Sequence, residues 1–207
     1  MPRTAIPWLL AALVVVTLRP STGQHFLTND YAGHWWQAAV PDERSGFISG
    51  YLDCYLWEYK GPARYSHRSL KALGDLVSEY YERHQAQLSA SVTSVLLRFR
   101  DLPGDPATMP SGREVYSEPH GFYDGNYWRQ VTAAERLGFV EGYLSCHAQE
   151  AHARGGAFTR TPGTYVVLIS QWYHLDDVTG ATDPEREWDK IADALFQVRL
   201  ALVKRGG

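Results

Sequence analysis

Apolar residues recur at helical spacing in two segments of the chain. They are Leu70, Leu73, Val77 and Tyr80 in the first segment, and Tyr165, Leu168, Ile169 and Trp172 in the second. Residues three and four apart share one face of a helix, so each segment predicts an amphipathic helix that faces a core. Ser69 and Thr161 stand where an N-cap belongs, and Pro162 follows at the first helical position.

Further helices are predicted on both sides of these segments. Pro41 with Glu43 marks one helix start, and Thr132 with Glu135 has the spacing of a capping box. A third helix is predicted from Ser89 to Arg100 and, in the second half, from Asp183 towards Lys204. Each half therefore predicts three helices.

The chain contains the same pattern twice. Residues 31–54 and 123–146 align without a gap at an offset of 92, and 11 of the 24 positions are identical. The identical residues of the first copy are Tyr31, Gly33, Trp36, Glu43, Arg44, Gly46, Phe47, Gly50, Tyr51, Leu52 and Cys54. A third block aligns at an offset of 99, where Val92 corresponds to Ile191. A repeat of this length indicates a duplicated unit of ~70 residues rather than a solenoid repeat.

Small residues form a stripe along the first long helix of each copy. Gly46, Gly50 and Cys54 recur every four residues, as do Gly138, Gly142 and Cys146. Glycine inside a helix costs about 1 kcal/mol relative to alanine, so its use at paired positions indicates a close packing contact. These four glycines are interpreted as structural.

The segment between the copies has a different composition. Residues 101–121 hold four prolines and three glycines, which are typical of a linker. No segment alternates between apolar and polar residues long enough to predict a strand. We therefore predict an all-α fold, in which two pseudo-symmetric three-helix repeats, residues 24–100 and 122–207, form one compact helical bundle.

The first 23 residues have the features of a secretory signal. Arg3 supplies a positive charge, an apolar run follows, and Ser21, Thr22 and Gly23 are small residues at the expected cleavage site. The sequence thus predicts an exported protein, periplasmic or secreted, with no stable membrane anchor after cleavage. Removing Arg3 and Arg19 changes the formal charge from −3 to −5, which argues against a nucleic-acid partner.

Two cysteines occupy equivalent positions in the copies, Cys54 and Cys146. In an oxidising compartment thiols tend to pair, and a bond between these two would join the repeats. A free cysteine also packs as a small apolar residue, and a disulfide needs Cα atoms within about 7 Å. The sequence leaves both interpretations open.

Candidate catalytic chemistry is sparse. His147, Glu150 and His152 resemble a metalloprotease helix, but the histidines are five residues apart, whereas zinc ligands on one helical face need a spacing of four. No nucleophile elbow and no glycine-rich phosphate loop is present in the sequence. We predict no cofactor, and non-catalytic function is favoured over enzymatic function.

Aromatic residues precede the long helix of each copy. Trp36 and Trp128 are identical between the copies and are interpreted as structural, folding the chain back onto the core. His34, Trp35 and Tyr127 stand at positions that vary between the copies. These three are the candidates for a binding role.

The order G-x-x-W, E-R-x-G-F-x-x-G-Y-L and L-V-S-E-Y-Y resembles small exported helical domains of bacteria. Among these are the Tai-type immunity proteins, which neutralise cell-wall amidases delivered by type VI secretion. The resemblance rests on residues 46–54 and 76–81 and their copies, and no inhibitory loop is recognisable. It implies an immunity-like role towards a cell-wall hydrolase.

Three functional hypotheses follow from these residues. The first is an exported non-catalytic helical module that binds another protein of the cell envelope. The second is a metal-dependent hydrolase that uses the region of His147, Glu150 and His152. The third is a structural protein of the envelope.

Overall fold

The computed structural model describes residues 31–59, 68–100, 123–150, 158–173 and 189–205, without the side chains of residues 56–59 and 150. These ranges hold eight α-helices, one 3-10 turn at Gln85–Gln87 and no β-strand. The helices are α1 Gly33–Ala38, α2 Pro41–Tyr59, α3 Leu70–Arg83, α4 Val92–Phe99, α5 Gly125–Gln130, α6 Ala133–Glu150, α7 Pro162–Trp172 and α8 Ile191–Arg205. The predicted all-α class is confirmed. The predicted signal at 1–23 and the linker at 101–121 lie outside the described residues.

The local start signals place α3 and α7 as expected. The Ser69 hydroxyl accepts a hydrogen bond from the Ala72 N–H at 3.1 Å, and the Thr161 hydroxyl accepts one from the Thr164 N–H at 3.2 Å. Each cap satisfies one of the backbone donors that a helix leaves unpaired in its first turn. Pro162 occupies the first helical position of α7.

The prediction of three helices per half was wrong. Short helices α1 and α5 precede α2 and α6, and each has only six residues. A segment of that length completes too few turns to show an apolar periodicity. In addition, α4 begins at Val92 rather than Ser89, with Ser91 as its cap. The predicted start at Asp183 lies outside the described residues. Within the described residues, α8 begins at Ile191.

The two long helices α2 and α6 form the centre of the molecule. A Cβ atom on Gly50 would lie 2.7 Å from the Phe139 carbonyl carbon, and one on Gly142 would lie 2.7 Å from the Phe47 carbonyl carbon. Gly46 and Gly138 face the partner backbone in the same way. Real Cβ atoms do not approach backbone so closely, so only glycine permits this contact. The two helices run in the same direction, because Gly46 and Gly50 of α2 lie against α6 residues that follow in the same chain order.

The stripe of small residues ends in a disulfide bond. Cys54 and Cys146 are joined, with their Cα atoms 6.1 Å apart, and both are buried. The bond covalently joins α2 to α6 beyond the glycine contacts. It decides between the two interpretations of the cysteines that the sequence left open.

The remaining helices pack outwards from this pair, with α3 on α2, α4 on α3, α7 on α6 and α8 on α7. Paired positions make matching contacts in the two halves. Trp36 donates its indole N–H to Ser78 Oγ at 3.0 Å, and Trp128 donates to Ser170 Oγ at the same distance. The Val92 N–H donates to the Tyr31 carbonyl, and the Ile191 N–H donates to the Tyr123 carbonyl.

None of the helices in the described part of the chain is both long and apolar enough to cross a membrane.

Candidate functional site

The predicted binding residues lie on α1 and α5, next to the core. His34 is exposed, whereas Trp35 is half-buried and its ring lies 5.0 Å from those of Tyr31 and Phe47. Tyr127 is also half-buried and donates its hydroxyl to Glu135 at 3.1 Å. Trp35 and Tyr127 thus each pack among their own neighbours, Tyr31 and Phe47 for the first and Glu135 for the second. His34 is the one with a surface-exposed ring, and a binding role for all three stays a prediction.

The repeated tryptophans are buried beneath an arginine. The guanidinium carbon of Arg44 lies 5.6 Å from the Trp36 ring, and that of Arg136 lies 5.9 Å from the Trp128 ring. Arg136 also donates to the Trp128 carbonyl at 2.7 Å, which holds the end of α5 against α6. These tryptophans thus occupy the interior rather than a stacking surface.

The capping box at Thr132 is half formed. The Thr132 hydroxyl accepts a hydrogen bond from the Glu135 N–H at 3.2 Å, as predicted. The Glu135 carboxylate instead accepts from the Tyr127 hydroxyl. Burial raises the pKa of Glu135, and the hydrogen bond from Tyr127 opposes that shift.

An acidic side chain that sequence reasoning missed lies at the contact between α2 and α6. Glu141 is 8% exposed and stands where the first copy has Ser49. Burial raises the pKa of Glu141 from 4.5 to about 8, the nearby Glu43 carboxylate adds to the shift, and a hydrogen bond from Tyr31 opposes it. Its Oε2 atom has no hydrogen-bond partner among the described residues. A Ser–Glu difference inside an otherwise apolar stretch was the signal in the sequence.

A second missed acid lies near the start of α8. Burial raises the pKa of Asp53 from 3.8 to about 7, Lys190 opposes the shift and Asp193 adds to it. Tyr173, next to these groups, donates its hydroxyl to the Asp189 carbonyl at 2.7 Å. This cluster connects α2 with α8 through charge, across the two halves of the sequence.

The weak metal candidates do not form a site in the described residues. His147 is buried, and its ring packs edge-on against Phe158 with centroids 4.9 Å apart. The side chain of Glu150 and all of His152 lie outside the described residues. Within the described ranges no group of three or more His, Cys, Asp or Glu side chains is placed to hold a metal ion.

The surface of the first half carries a cleft of about 270 Å³ between the first turns of α2 and α3. Pro41 and Leu70 provide the accessible apolar lining, and Arg44, Lys71 and Asp75 provide charge. The buried Trp36 and Ile48 also border the cleft. Lys71 and Asp75 form an ion pair at 2.7 Å, although both side chains are largely exposed. The arrangement offers two cationic groups beside apolar surface.

On the equivalent surface of the second half, the part that α7 contributes has no charge. None of the eleven residues of α7 is ionisable except Tyr165, which is buried. Val167 is 55% exposed, and it stands where α3 has Asp75. Gly163, the counterpart of Lys71, has nothing within 4 Å of the position of a Cβ atom. The two halves therefore share their interior contacts and differ in the chemistry of this outer face.

No protein family model matches the chain, and neither a curated protein nor a solved structure matches it.

Proposed function

We propose that this chain is an exported, non-catalytic helical module that binds another protein of the cell envelope, with the exposed face of α7 as the docking surface. The observation that carries the proposal is the uncharged outer face of α7, with Val167 55% exposed at its centre. Export is supported by the signal-like N-terminus and by the disulfide, which belongs to oxidising compartments.

The difference between α7 and α3 on the surface is informative because the two helices make equivalent contacts in the interior. Each holds a buried tryptophan through a serine, Ser78 or Ser170. At the exposed positions, however, α3 carries Lys71, Asp75 and Glu79, as expected of a solvated helix face. Folding alone does not require Val167 to be apolar, since Asp75 serves at the paired position. A protein partner can cover an uncharged helix face of this kind without removing a charged group of α7 from water.

The partner that fits is a protein with an uncharged apolar patch, because a charged surface would lose its hydration against α7 without gaining an ionic partner. The central helices are fixed by the glycine contacts and the disulfide, so α7 is presented on a rigid frame. Rigidity lowers the entropic cost of association. The resemblance to Tai-type immunity proteins makes a cell-wall hydrolase the first partner to test.

Two exchanged substitutions test the docking surface. Val167→Asp gives α7 the residue that α3 carries, and Asp75→Val makes the opposite change on the other half. The tagged protein, made with its own N-terminus, is used for affinity capture from envelope extracts of its organism, and the captured protein is then purified. We expect Val167→Asp to raise the Kd for that partner by about tenfold or more, because losing a central apolar contact and burying a charge together cost about 1.4 kcal/mol or more. Asp75→Val should bind as the wild type does.

Equal affinity of the Val167→Asp protein and the wild type would remove α7 from the interface. Stoichiometric zinc in the purified protein, with hydrolytic activity that a chelator abolishes, would overturn the non-catalytic assignment. Far-ultraviolet circular dichroism of each variant shows whether the helices are retained.

A further inference from the structure

The cleft between α2 and α3 has features that the folding of the chain does not explain. Its arginine, Arg44, has a counterpart in Arg136, and each lies over a buried tryptophan. Arg136 donates from Nε to the Trp128 carbonyl at 2.7 Å and from Nη2 to the Arg129 carbonyl at 3.3 Å. Its donors are thus used to hold α5 in place.

Arg44 has fewer partners among the described residues. Its Nη2 donates to the Gln37 carbonyl at 3.1 Å, and its Nε is shielded from solvent without an acceptor. A shielded donor on a charged group costs free energy when it is left unpaired, so most such groups in proteins have a partner. The guanidinium that lines the cleft therefore lacks acceptors that its counterpart has.

Some residues around Arg44 are also more polar or more positively charged than their counterparts in the second half. Lys71 replaces Gly163, and Ser45 replaces Leu137. Asp75 reduces the positive charge of the cleft, but its ion pair with Lys71 is 67–83% exposed and contributes little. An incoming carboxylate can take the place of Asp75 as the partner of Lys71. The buried Trp36 and Ile48 that border the cleft correspond to Trp128 and Val140 in the second half, which are also buried.

We infer that this cleft is a binding site for a small organic carboxylate, whose charged end meets Arg44 and Lys71 and whose apolar body lies against Pro41 and Leu70. Planar guanidinium donors match the geometry of a carboxylate, and charged hydrogen bonds are stronger than neutral ones. The volume of about 270 Å³ admits a ligand of this size. The inference is independent of the α7 docking surface, which lies in the other half of the sequence.

Nuclear magnetic resonance of the full-length protein tests the site with defined probes. Sodium benzoate, benzamide and inorganic phosphate are titrated separately while the indole N–H of Trp36 is observed, because this group lines the cleft. We expect benzoate to shift that resonance in a saturable manner. Benzamide has the same ring without the charge and should bind at least about tenfold more weakly, because the charged hydrogen bonds are lost.

Variants assign the binding to the cleft. Arg44→Gln should raise the Kd for benzoate by about tenfold or more, and Lys71→Gln should raise it by a smaller factor. Lys204→Gln removes a charge from an exposed position on α8 and should bind benzoate like the wild type. Because Lys71 is exposed, its variant is expected to fold even if Arg44→Gln does not. Val167→Asp should leave the benzoate titration unchanged, so a failure here is distinguishable from a failure of the α7 proposal.

Three outcomes would overturn the inference. They are the absence of any benzoate shift at Trp36, equal binding of benzoate and benzamide, and wild-type affinity in folded Arg44→Gln together with Lys71→Gln. Binding of phosphate without binding of benzoate would contradict the organic carboxylate as the ligand class.

Discussion

Glu141 places a carboxyl group against α2 at a position where the other half of the chain has a hydroxyl, Ser49. A second difference between the copies lies nearby, where Trp35 in the first half corresponds to Tyr127 in the second. Tyr127 contacts both Ser49 and Glu135, whereas Glu141 contacts Tyr31 and is repelled by Glu43. Ser49 and Glu141 thus differ in polar chemistry, although both are followed by the same residues, Gly, Tyr and Leu.

The raised pKa of Glu141 predicts a pH dependence of stability. Its pKa is about 8 in the folded protein and near 4.5 when it is unfolded and solvated. Between these values the folded state binds more protons than the unfolded state, so the free energy of unfolding falls as pH rises and levels off above the folded pKa. We expect Glu141→Gln to stabilise the protein increasingly with pH, by at most about 5 kcal/mol, since glutamine stays neutral and retains an acceptor for Tyr31.

Urea unfolding at several pH values from about 5 to 9 measures this difference. Glu82→Gln is the matched control, because Glu82 is exposed and should give no difference that grows with pH. Parallel stability curves for Glu141→Gln and the wild type would show that Glu141 titrates normally in the folded protein.

The helices α2 and α6 differ from the outer helices in where their apolar residues lie. Each is packed on one side by the other central helix and on another side by its own neighbour, α3 or α7. Apolar and small residues are therefore distributed around much of each helix, and neither has the strong amphipathic pattern of α3. The glycines mark the side of each central helix that lies closest to the other.

The glycine contact predicts a strong effect from the smallest possible substitution. Gly142→Ala places a methyl group against the Phe47 carbonyl and the Tyr51 N–H, and both belong to helical backbone that cannot move aside on its own. We expect it to lower the free energy of unfolding by more than about 2 kcal/mol, because overpacking a close contact forces the helices apart.

Gly163→Ala is the matched control for this substitution. Gly163 also lies in a helix, but nothing lies within 4 Å of the added methyl group. Alanine should raise stability by up to about 1 kcal/mol there through helix propensity. Chemical denaturation of both variants measures the pair. A Gly142→Ala protein as stable as Gly163→Ala would show that α2 and α6 are further apart than described.

At the scale of the whole molecule, the disulfide joins two segments that are 92 residues apart in the sequence. A cross-link over so long a loop removes many conformations from the unfolded chain. The bond lies beside the glycine contact, so it stabilises the same arrangement of α2 and α6 that the glycines permit. The frame that carries α3 and α7 thus depends on one covalent link and one close contact.

Removal of this bond should destabilise the protein. We expect the Cys54→Ser, Cys146→Ser double variant to lose about 4.6 kcal/mol of unfolding free energy, as the loop length indicates. The measurement is urea unfolding of the oxidised wild type, of the wild type refolded under reducing conditions, and of the double variant. Reductant should lower the stability of the wild type and leave the variant unchanged. A reductant effect of equal size on both proteins would show that it does not act through this bond.

Much of the fold was readable from short stretches of sequence. The starts of α3 and α7 follow from Ser69, Thr161 and Pro162, because capping is a hydrogen bond between residues three apart. The short helices α1 and α5 could not be predicted in this way, since their position depends on hydrogen bonds from Trp36 and Trp128 to serines 42 residues away. The candidate site was less predictable still, because a cleft requires two separate helices to be placed side by side.

The sequence by itself determined the helical class, the internal repeat and the need for a close contact at the glycines, since each is expressed within a few residues or in the comparison of the copies. Only the tertiary structure decided that α2 meets α6, that Cys54 bonds Cys146 and that Glu141 is buried beside Glu43. Burial, pKa and disulfide formation depend on which distant segments are neighbours in space, and local periodicity carries no information about that. For the same reason, the cleft at Arg44 and the exposure of Val167 depend on the tertiary structure.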